Sequence, residues 1–329
     1  MTKPSFFNPI VKNSCFLIYS EEFYDVLGDN PQLTKLIKVN AHEGPVYIRK
    51  RNAVYFTTVR IPFYNSFYVS LKKLSLDNNE VSLVRERTNM ANGMTLDHDC
   101  RLLICEQGTK MEKGRISRLD LDTNVIETVV DNWFGLPFNS PGDVVVKSDG
   151  TIWFTDPSYG YKQGFKNEPL LGNFVYRHDP VSGSTTVVAD SFIRPNGLAF
   201  SPDESVLYIG DSSADLGNGT HDVMLRHHLR AFDVKDGRHL INDRLFAVIT
   251  PGVPDGVKVD SKGNVYTTST RGIKVYNPLG DLIGEILVTG VANFTFGGPE
   301  NNVLYMMADK AIYAASLAAT GAIDRCNDD

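Results

Sequence analysis

The chain has 329 residues, of which 42% are hydrophobic and 22% are charged, so it can bury a large core and is not expected to be disordered. Its 39 acidic and 33 basic residues give a formal net charge of −6 without a basic stripe, which argues against a nucleic-acid partner. The N-terminal stretch lacks the continuous apolar run of a secretory signal, and no apolar segment of about 20 residues predicts a membrane span. We therefore expect a cytoplasmic protein without a membrane partner.

Short apolar runs rich in β-branched and aromatic residues and closed by Gly, Asp, Asn or Pro predict an all-β protein. One pattern recurs with a period of about 40 to 60 residues, which indicates a repeat architecture. The second strand of each copy is predicted, in chain order, at residues 52–59, 100–108, 150–158, 205–213, 263–271 and 302–310. The sequence therefore contains about six copies.

Between these runs lie further strand-like segments, predicted at residues 114–122, 173–180, 227–234 and 272–280. Each copy thus supplies roughly four strands, which predicts a six-bladed β-propeller with four-stranded blades around a central channel. A β-helix is the alternative, but its rungs are shorter than this period. No linker divides the chain, so we expect residues 1–329 to form a single domain in which the first strand, near residues 16–19, closes the last blade.

The four cysteines are Cys15, Cys100, Cys105 and Cys326, and none of them has CxxC spacing. This scatter argues against a thiolate zinc site and against a disulfide framework. A reducing cytosol fits such cysteine usage best.

Polar residues at equivalent positions of several copies should converge, because the innermost strand of every blade begins near the mouth of the channel. The residues at that position are Glu43, Asn92, Gly142 followed by Asp143, Asn196 and Asp255. Their side chains offer hard oxygen donors, which suit Ca²⁺, Mg²⁺ or Mn²⁺ better than Zn²⁺. Taken alone, the pairs Asn196-Gly197 and Asp255-Gly256 are also ordinary turn formers.

Several motifs occur in a specific order along nearly the whole chain. They are HEGPVY, NSPGDVVVKSDGTIWFTDPSYG, RPNGLAFSPDE with LYIGDS, PDGVKVDSKGNVY and NFTFGGPENNVLYM. With these motifs the chain resembles the gluconolactonase and regucalcin family, also called senescence marker protein, of metal-dependent lactonases.

The resemblance implies a hydrolase that opens a lactone or related cyclic ester, a small-molecule substrate, by metal-activated water. It places the metal ligands at Glu43, Asn196 and Asp255, and it makes Asp255 the catalytic base or water-orienting group. Calcium is the first choice of ion, with Mg²⁺, Mn²⁺ and Zn²⁺ as alternatives. The absence of a G-x-S-x-G elbow and of a dinucleotide-binding G-x-G-x-x-G agrees with this reading.

The chain departs from the family at Gly142, where many members have an asparagine before the aspartate. We expect Asn92, Gly142, Asp143 and His221 to belong to the substrate pocket, and the missing amide predicts weak activity on simple aldonolactones. Two alternatives stay open at this point. One is a propeller that catalyses a non-hydrolytic cyclisation or isomerisation, and the other is a non-enzymatic calcium-binding propeller.

Some other residues permit two readings each. The aromatic segment 62–71 either forms an apolar wall that favours a bulky substrate or packs as a structural loop. The carboxylates of Glu106, Asp156 and Asp211, at the ends of strands, either line the pocket or make local hydrogen bonds.

Overall fold

The computed structural model describes residues 10–11, 15–64, 66–217 and 220–322. Six antiparallel sheets surround a central channel, and the innermost strand of each sheet contacts the innermost strands of its two neighbours. The predicted six-bladed β-propeller is therefore confirmed.

The blades are numbered by their order in the chain, and each is given from its innermost strand outward. Blade 1 contains Glu43–Ile48, Ala53–Thr57, Leu71–Ser75 and Val81–Arg85. Blade 2 contains Ala91–Leu96, Leu102–Glu106, Arg115–Leu119 and Ile126–Val130. Blade 3 contains Val144–Val146, Ile152–Asp156, Phe174–Asp179 and Ser184–Ala189.

The second half of the chain forms the remaining three blades. Blade 4 contains Pro195–Phe200, Val206–Asp211, His228–Lys235 and His239–Val248. Blade 5 contains Val257–Val259, Val265–Ser269, Gly272–Tyr276 and Leu282–Leu287, followed by Phe16–Ile18 and Ile10–Val11. Blade 6 contains Asn293–Gly297, Val303–Met307, Ile312–Ser316 and Gln32–Ile37.

A strand from the N-terminal part of the chain completes blade 6, but it is not the one that the sequence suggested. Gln32–Ile37 pairs with Ile312–Ser316 and becomes the outermost strand of this blade. Phe16–Ile18 instead pairs with Leu282–Leu287 and extends blade 5. The expectation that residues 16–19 close the last blade is therefore wrong.

The second strand of every blade is buried because its two faces pack against the two neighbouring blades. All residues of Ala53–Thr57, Leu102–Glu106 and Ile152–Asp156 are buried. Strands buried on both faces consist of nearly continuous apolar and β-branched residues instead of alternating ones. The burial of each large side chain, such as Trp153 in blade 3, contributes about 1.5–3 kcal/mol.

Three buried carboxylates that end second strands hold the loops that lead into the innermost strands. Asp156 accepts hydrogen bonds from the backbone N–H groups of Asn139 (2.8 Å) and Ser140 (2.7 Å). Asp211 accepts bonds from Ile193 (3.0 Å) and Arg194 (3.1 Å) in the same way. The equivalent bond in blade 2 runs from Asn89 to Glu106, over 3.3 Å. These carboxylates fix the start of each innermost strand and therefore the mouth of the channel.

The remaining elements are short. Two hairpins project from the blades, Ile61–Phe63 with Ser66–Tyr68 and Asn132–Trp133 with Leu136–Pro137. The helices are Glu22–Leu27, Tyr159–Lys162 and the 3₁₀ turn Arg49–Arg51. No helix in the described ranges has the length and apolar character needed to cross a membrane.

The cysteines differ in state. Cys15 and Cys105 are not in a disulfide, whereas Cys100 is disulfide-bonded. Cys326 lies outside the described residues. Cysteine usage therefore no longer supports a reducing compartment, because spacing in the sequence does not reveal which cysteines the fold brings together.

Candidate active site

One residue per blade occupies the same position at the start of the innermost strand, where the channel opens. These six positions form the mouth ring, which consists of Glu43, Asn92, Gly142, Asn196, Asp255 and Ala292. The backbone shows the equivalence, because the N–H group after a ring residue donates to the carbonyl oxygen of the ring residue in the next blade. Such bonds join Gly93 to Gly142 (2.8 Å), Gly197 to Asp255 (3.1 Å) and Gly256 to Ala292 (3.0 Å).

The residue after four of the ring residues is glycine, because adjacent innermost strands approach too closely for a side chain. A Cβ at Gly44 would lie 2.5 Å from the carbonyl oxygen of Asn92, and a Cβ at Gly93 would lie 2.5 Å from that of Gly142. A Cβ at Gly197 would overlap the carbonyl oxygen of Asp255. The recurring Asn-Gly and Asp-Gly pairs therefore permit close packing around the channel axis and are not ordinary turns.

Blades 3 and 6 reverse this order, with a small residue in the ring and a polar residue after it. Asp143 follows Gly142, and Asn293 follows Ala292. A Cβ at Gly256 would lie 2.5 Å from Oδ1 of Asn293, so that side chain occupies the space that the glycine leaves open. Asp143 lies against Gly93 in the same manner. The two reversed blades thus supply a second layer of polar side chains beneath the ring.

The mouth of the channel is a cavity of about 470 Å³. Four of the six ring residues line it, namely Glu43, Asn92, Asn196 and Asp255. The connections between second and third strands form its walls, with Arg60, Gln107, Tyr159, Asp215 and Asp309 among the lining residues. A volume of this size is sufficient for a small organic substrate.

Glu43 is 4% exposed, and only one of its two carboxylate oxygens accepts hydrogen bonds from described residues. Its Oε2 atom accepts hydrogen bonds from Nδ2 of Asn293 (2.9 Å) and from the backbone of Gly44 (3.2 Å). No described residue donates a hydrogen bond to Oε1. Glu43 therefore keeps one carboxylate oxygen available to a cation in the cavity.

Asn196 is 8% exposed, and its amide group is oriented by blade 4 and by the connection above blade 3. Its Nδ2 atom donates to Oγ of Ser212 (3.1 Å) and to the hydroxyl of Tyr159 (3.4 Å). Ser212 in turn donates to the carbonyl oxygen of Pro254, over 2.5 Å. Within the described part of the chain, Oδ1 of Asn196 accepts no hydrogen bond, so this oxygen atom is available to coordinate a cation.

Asp255 lies in the most unfavourable electrostatic environment of the three. Burial raises its pKa well above the ordinary value, and the negative charges of Glu43, Asp143 and Asp215 raise the pKa further. The neighbouring Asn196 side chain lowers the pKa and offsets only part of this effect. The backbone N–H of Asp255 donates to Oγ1 of Thr268 (2.9 Å), which fixes the residue in the ring.

The structure brings Glu43, Asn92, Asn196 and Asp255 together but places the other expected pocket residues elsewhere. Gly142 and Asp143 do not line the cavity, since Asp143 lies in the second layer and is 3% exposed. Burial and the charge of Glu43 raise the pKa of Asp143 to about 6, although Lys258 opposes them. The Oδ2 atom of Asp143 is buried without a hydrogen-bond partner.

His221 is exposed and is not among the residues that line the cavity. It forms an isolated β-bridge with Asp215, which does line the cavity. His221 thus belongs to the connection above blade 4 rather than to the cavity wall.

Several cavity residues were missed by the sequence analysis. Nδ1 of His42 lies 2.7 Å from Oδ1 of Asp309, so the pair joins blades 1 and 6 at the rim. Burial lowers the pKa of His42, but the hydrogen bond to Asp309 and the charge of Glu43 outweigh this effect and raise it. Tyr159 packs beneath the guanidinium of Arg194, 5.3 Å from the ring centroid. His42 could have been noticed in the sequence, because it directly precedes the predicted ligand Glu43 in the motif HEGPVY.

The aromatic segment does not form an apolar cavity wall. Phe63 and Tyr68 contact the guanidinium of Arg87, and Phe67 packs edge-on against Phe165 at 5.7 Å. Val69 is the only residue of the segment 62–71, among those that the structure describes, that lines the cavity. The reading as a packed loop is therefore the correct one.

The residues at the mouth fit a divalent cation. Glu43 and Asp255 supply carboxylates, Asn196 supplies an amide oxygen, and the buried negative charges raise the pKa values of Asp143 and Asp255. A bound cation would relieve this repulsion. No group of three or more His, Cys, Asp or Glu residues suited to a metal occurs in the described ranges.

Comparisons with known proteins match the sequence and the fold of this chain. A family model described as the SMP-30/Gluconolactonase/LRE-like region matches residues 41–310. The chain is 26% identical over 322 residues to lactonohydrolase oryL of Aspergillus oryzae, and the alignment covers 90% of this chain and 72% of that protein. It is 29% identical over 254 residues to a gluconolactonase of Zymomonas mobilis, covering 74% of this chain and 68% of that protein. The solved structure of a gluconolactonase from Xanthomonas campestris superposes with a TM-score of 0.78 and 29% identity, covering 94% of this chain and 96% of that one.

Proposed function

The chain belongs to the SMP-30/gluconolactonase/LRE-like family, and from this premise we propose that it is a metal-dependent hydrolase that opens a lactone. Glu43, Asn196 and Asp255 would hold one divalent ion, with Ca²⁺ as the first choice. The observation that carries the proposal is the convergence of three oxygen donors from blades 1, 4 and 5 on one cavity with excess negative charge. The lactonase names of the relatives support the reaction class.

A divalent ion bound there would polarise a lactone carbonyl and lower the pKa of water. Hard oxygen ligands favour Ca²⁺, Mg²⁺ or Mn²⁺ over Zn²⁺. The chain supplies the remaining requirements through its own residues, which orient the substrate and accept a proton.

Asp255 is the proposed general base or water-orienting group, because its carboxylate lines the cavity next to the proposed site of the ion and the family resemblance assigns it this role. Its position is fixed by the hydrogen bond to Thr268 and by the packing of Gly197 against its carbonyl group. Asn92 lines the cavity on the opposite side of the ring and offers an amide to a substrate hydroxyl. His42 is held by Asp309 at the rim.

The first experiment is elemental analysis of the purified protein combined with a screen of lactones, with and without EDTA. We expect about one divalent ion per chain, hydrolysis of at least one lactone, and loss of hydrolysis on chelation that added Ca²⁺, Mn²⁺ or Mg²⁺ reverses. Full activity in protein shown to be free of metal would disprove the metal-dependent mechanism. Binding of the ion without turnover of any lactone would favour the non-hydrolytic or non-enzymatic alternatives.

The second experiment tests the ligands. Glu43→Gln, Asn196→Ala and Asp255→Asn should each weaken binding of the ion, because each removes a donor atom or a negative charge. Asp215→Asn is the matched control, since it removes a charge from the cavity wall without removing a proposed ligand. If Asp215→Asn weakens ion binding as much as the three ligand variants, the effect is one of total charge and the assigned ligand set is wrong.

The cytoplasmic location expected from the sequence stays a proposal. The disulfide at Cys100 is unusual for a reducing compartment. Fractionation of cells that express the protein, with thiol labelling before and after reduction, tests the location and the disulfide together.

A further inference from the structure

Arg60 is the one Arg or Lys side chain among the described residues that line the cavity. It follows the second strand of blade 1 and precedes the hairpin of Ile61–Phe63 and Ser66–Tyr68. The acidic residues Glu43, Asp215, Asp255 and Asp309 line the same cavity. None of these carboxylates forms an ion pair with Arg60, and Asp309 is already engaged by His42.

The guanidinium of Arg60 is held in place by aromatic rings and not by hydrogen bonds. It lies 4.7 Å from the ring centroid of Phe67 and 6.0 Å from that of Phe165. Phe165 is 9% exposed and packs into the hydrophobic core between blades 1 and 2, so this platform is anchored. Stacking on a ring orients the planar group while leaving its N–H donors free.

The neighbouring cations are engaged in a different way. Arg194 donates to the carbonyl oxygen of Asp215 (2.6 Å), and Lys162 donates to the same atom (2.7 Å). Lys166 donates to the carbonyl oxygen of Phe138, over 3.0 Å. Arg60 makes no hydrogen bond or ion pair to any described residue, and partial burial lowers the pKa of its guanidinium. It therefore presents unused donors to whatever occupies the cavity.

We propose that Arg60 determines substrate specificity by binding an anionic group, a carboxylate or a phosphate, at the end of the substrate distant from the ester bond that is cleaved. This inference rests on the proposed function for the identity of the substrate as a lactone. A guanidinium matches both anions because its N–H donors form a planar fork. It also replaces the earlier expectation of a bulky apolar substrate, since the aromatic rings support Arg60 and do not face the cavity.

Binding of open-chain acids tests the proposal without turnover. Gluconate and glucarate share one carboxylate and differ only at the far end, where glucarate carries a second one, and 6-phosphogluconate carries a phosphate there. Calorimetry should give about tenfold tighter binding of glucarate or 6-phosphogluconate than of gluconate, with a ratio that falls as salt is added. Whichever of glucarate and 6-phosphogluconate binds more tightly identifies the anionic group that Arg60 prefers. All three ligands share the first carboxylate and are measured on the same protein preparation. The fraction of protein that contains metal therefore affects the three affinities alike and does not change their ratio.

Three variants assign the preference to Arg60. Arg60→Gln should abolish the ratio, and Arg60→Lys should retain part of it, because the charge remains while the planar fork is lost. Arg87→Gln is the matched control, since Arg87 is also stacked on rings of the hairpin but does not line the cavity. A wild-type ratio in Arg60→Gln, or no ratio in the wild-type protein, overturns the inference.

A kinetic measurement separates this inference from the proposed function. Glucono-1,4-lactone and glucaro-1,4-lactone have the same ring, and only the second bears a free carboxylate. We expect Arg60→Gln to raise KM for the second by about tenfold and to leave kcat and the first lactone nearly unchanged. If no lactone is hydrolysed but the Arg60-dependent binding ratio persists, the proposed function fails and the anion site stands. If lactones are hydrolysed without any preference for an anionic group, the proposed function stands and the anion site at Arg60 fails.

Discussion

Gly197→Ala should destabilise the protein because it forces apart two innermost strands at the mouth ring. The added Cβ would overlap the carbonyl oxygen of Asp255 and would lie 3.0 Å from the backbone nitrogen of Val257. Both atoms belong to the backbone, so no side chain can rotate away. Blades 4 and 5 would have to separate locally by about 1 Å before the contact becomes favourable.

The expected loss follows from two contributions. Overpacking of this kind costs about 1–3 kcal/mol, and weakening the hydrogen bond from Gly197 to Asp255 costs about 1 kcal/mol more. The sum is about 2–4 kcal/mol. For a chain of 329 residues the entropy of unfolding is about 0.7 kcal/mol/K, so Tm should fall by about 3–6 °C.

Gly142→Ala is the matched control, because Gly142 lies in the same ring and neither glycine has a positive φ. Its Cβ would lie 3.2 Å from Oγ1 of Thr155, so a shift of a few tenths of an ångström would relieve the contact. We expect a change below about 1 kcal/mol, which the lower entropy of the unfolded alanine chain partly offsets. Differential scanning calorimetry of both variants measures the contrast. Equal Tm values would refute the argument that close strand approach explains the glycines of the ring.

Three further outcomes are expected. In EDTA, Asp143→Asn should raise stability at pH 7.5, since a pKa moved from 3.8 to about 6 corresponds to about 3 kcal/mol. The native state of the wild-type protein binds this proton more tightly than the unfolded state, so stability should fall as pH rises from about 4 to about 6, and a flat profile would contradict the assignment. Asp211→Asn should instead lower stability by about 1–3 kcal/mol in chemical denaturation, because that buried carboxylate accepts backbone hydrogen bonds from Ile193 and Arg194. Gly142→Asn should raise hydrolysis of simple aldonolactones by roughly tenfold or more in steady-state kinetics, provided that the new amide extends into the cavity that Gly142 itself does not line. Unchanged rates would mean that Gly142 does not limit specificity.

The strands of the propeller could be predicted from the sequence because each second strand is buried on both faces. The predicted segments 150–158 and 263–271 contain the observed strands Ile152–Asp156 and Val265–Ser269. The strand that completes blade 6 was assigned wrongly for a physical reason. Gln32–Ile37 lies at an outer edge, where most of its residues remain partly or fully exposed, so its pattern does not distinguish it from a loop.

The candidate site divides in the same way. Glu43, Asn196 and Asp255 were predicted as ligands from the family resemblance, and a backbone hydrogen bond from Gly197 to Asp255 supports the expectation that Asn196 and Asp255 occupy a repeated position. Arg60 and Asp309 could not be found, because they lie on connections whose length differs from blade to blade. Their place in the cavity depends on how each connection folds over the channel, and a period in the sequence carries no information about that.

The connections above the channel mouth also differ in length. The connections between second and third strands cover residues 58–70 in blade 1, 157–173 in blade 3 and 212–227 in blade 4, but only 270–271 in blade 5 and 308–311 in blade 6. The long connections contribute Arg60, Tyr159 and Asp215 to the lining of the cavity, whereas the short connection of blade 6 contributes Asp309. Under the proposed function, the repeated ring supplies the ligands of the ion, and the long connections supply most of the side chains that a substrate meets.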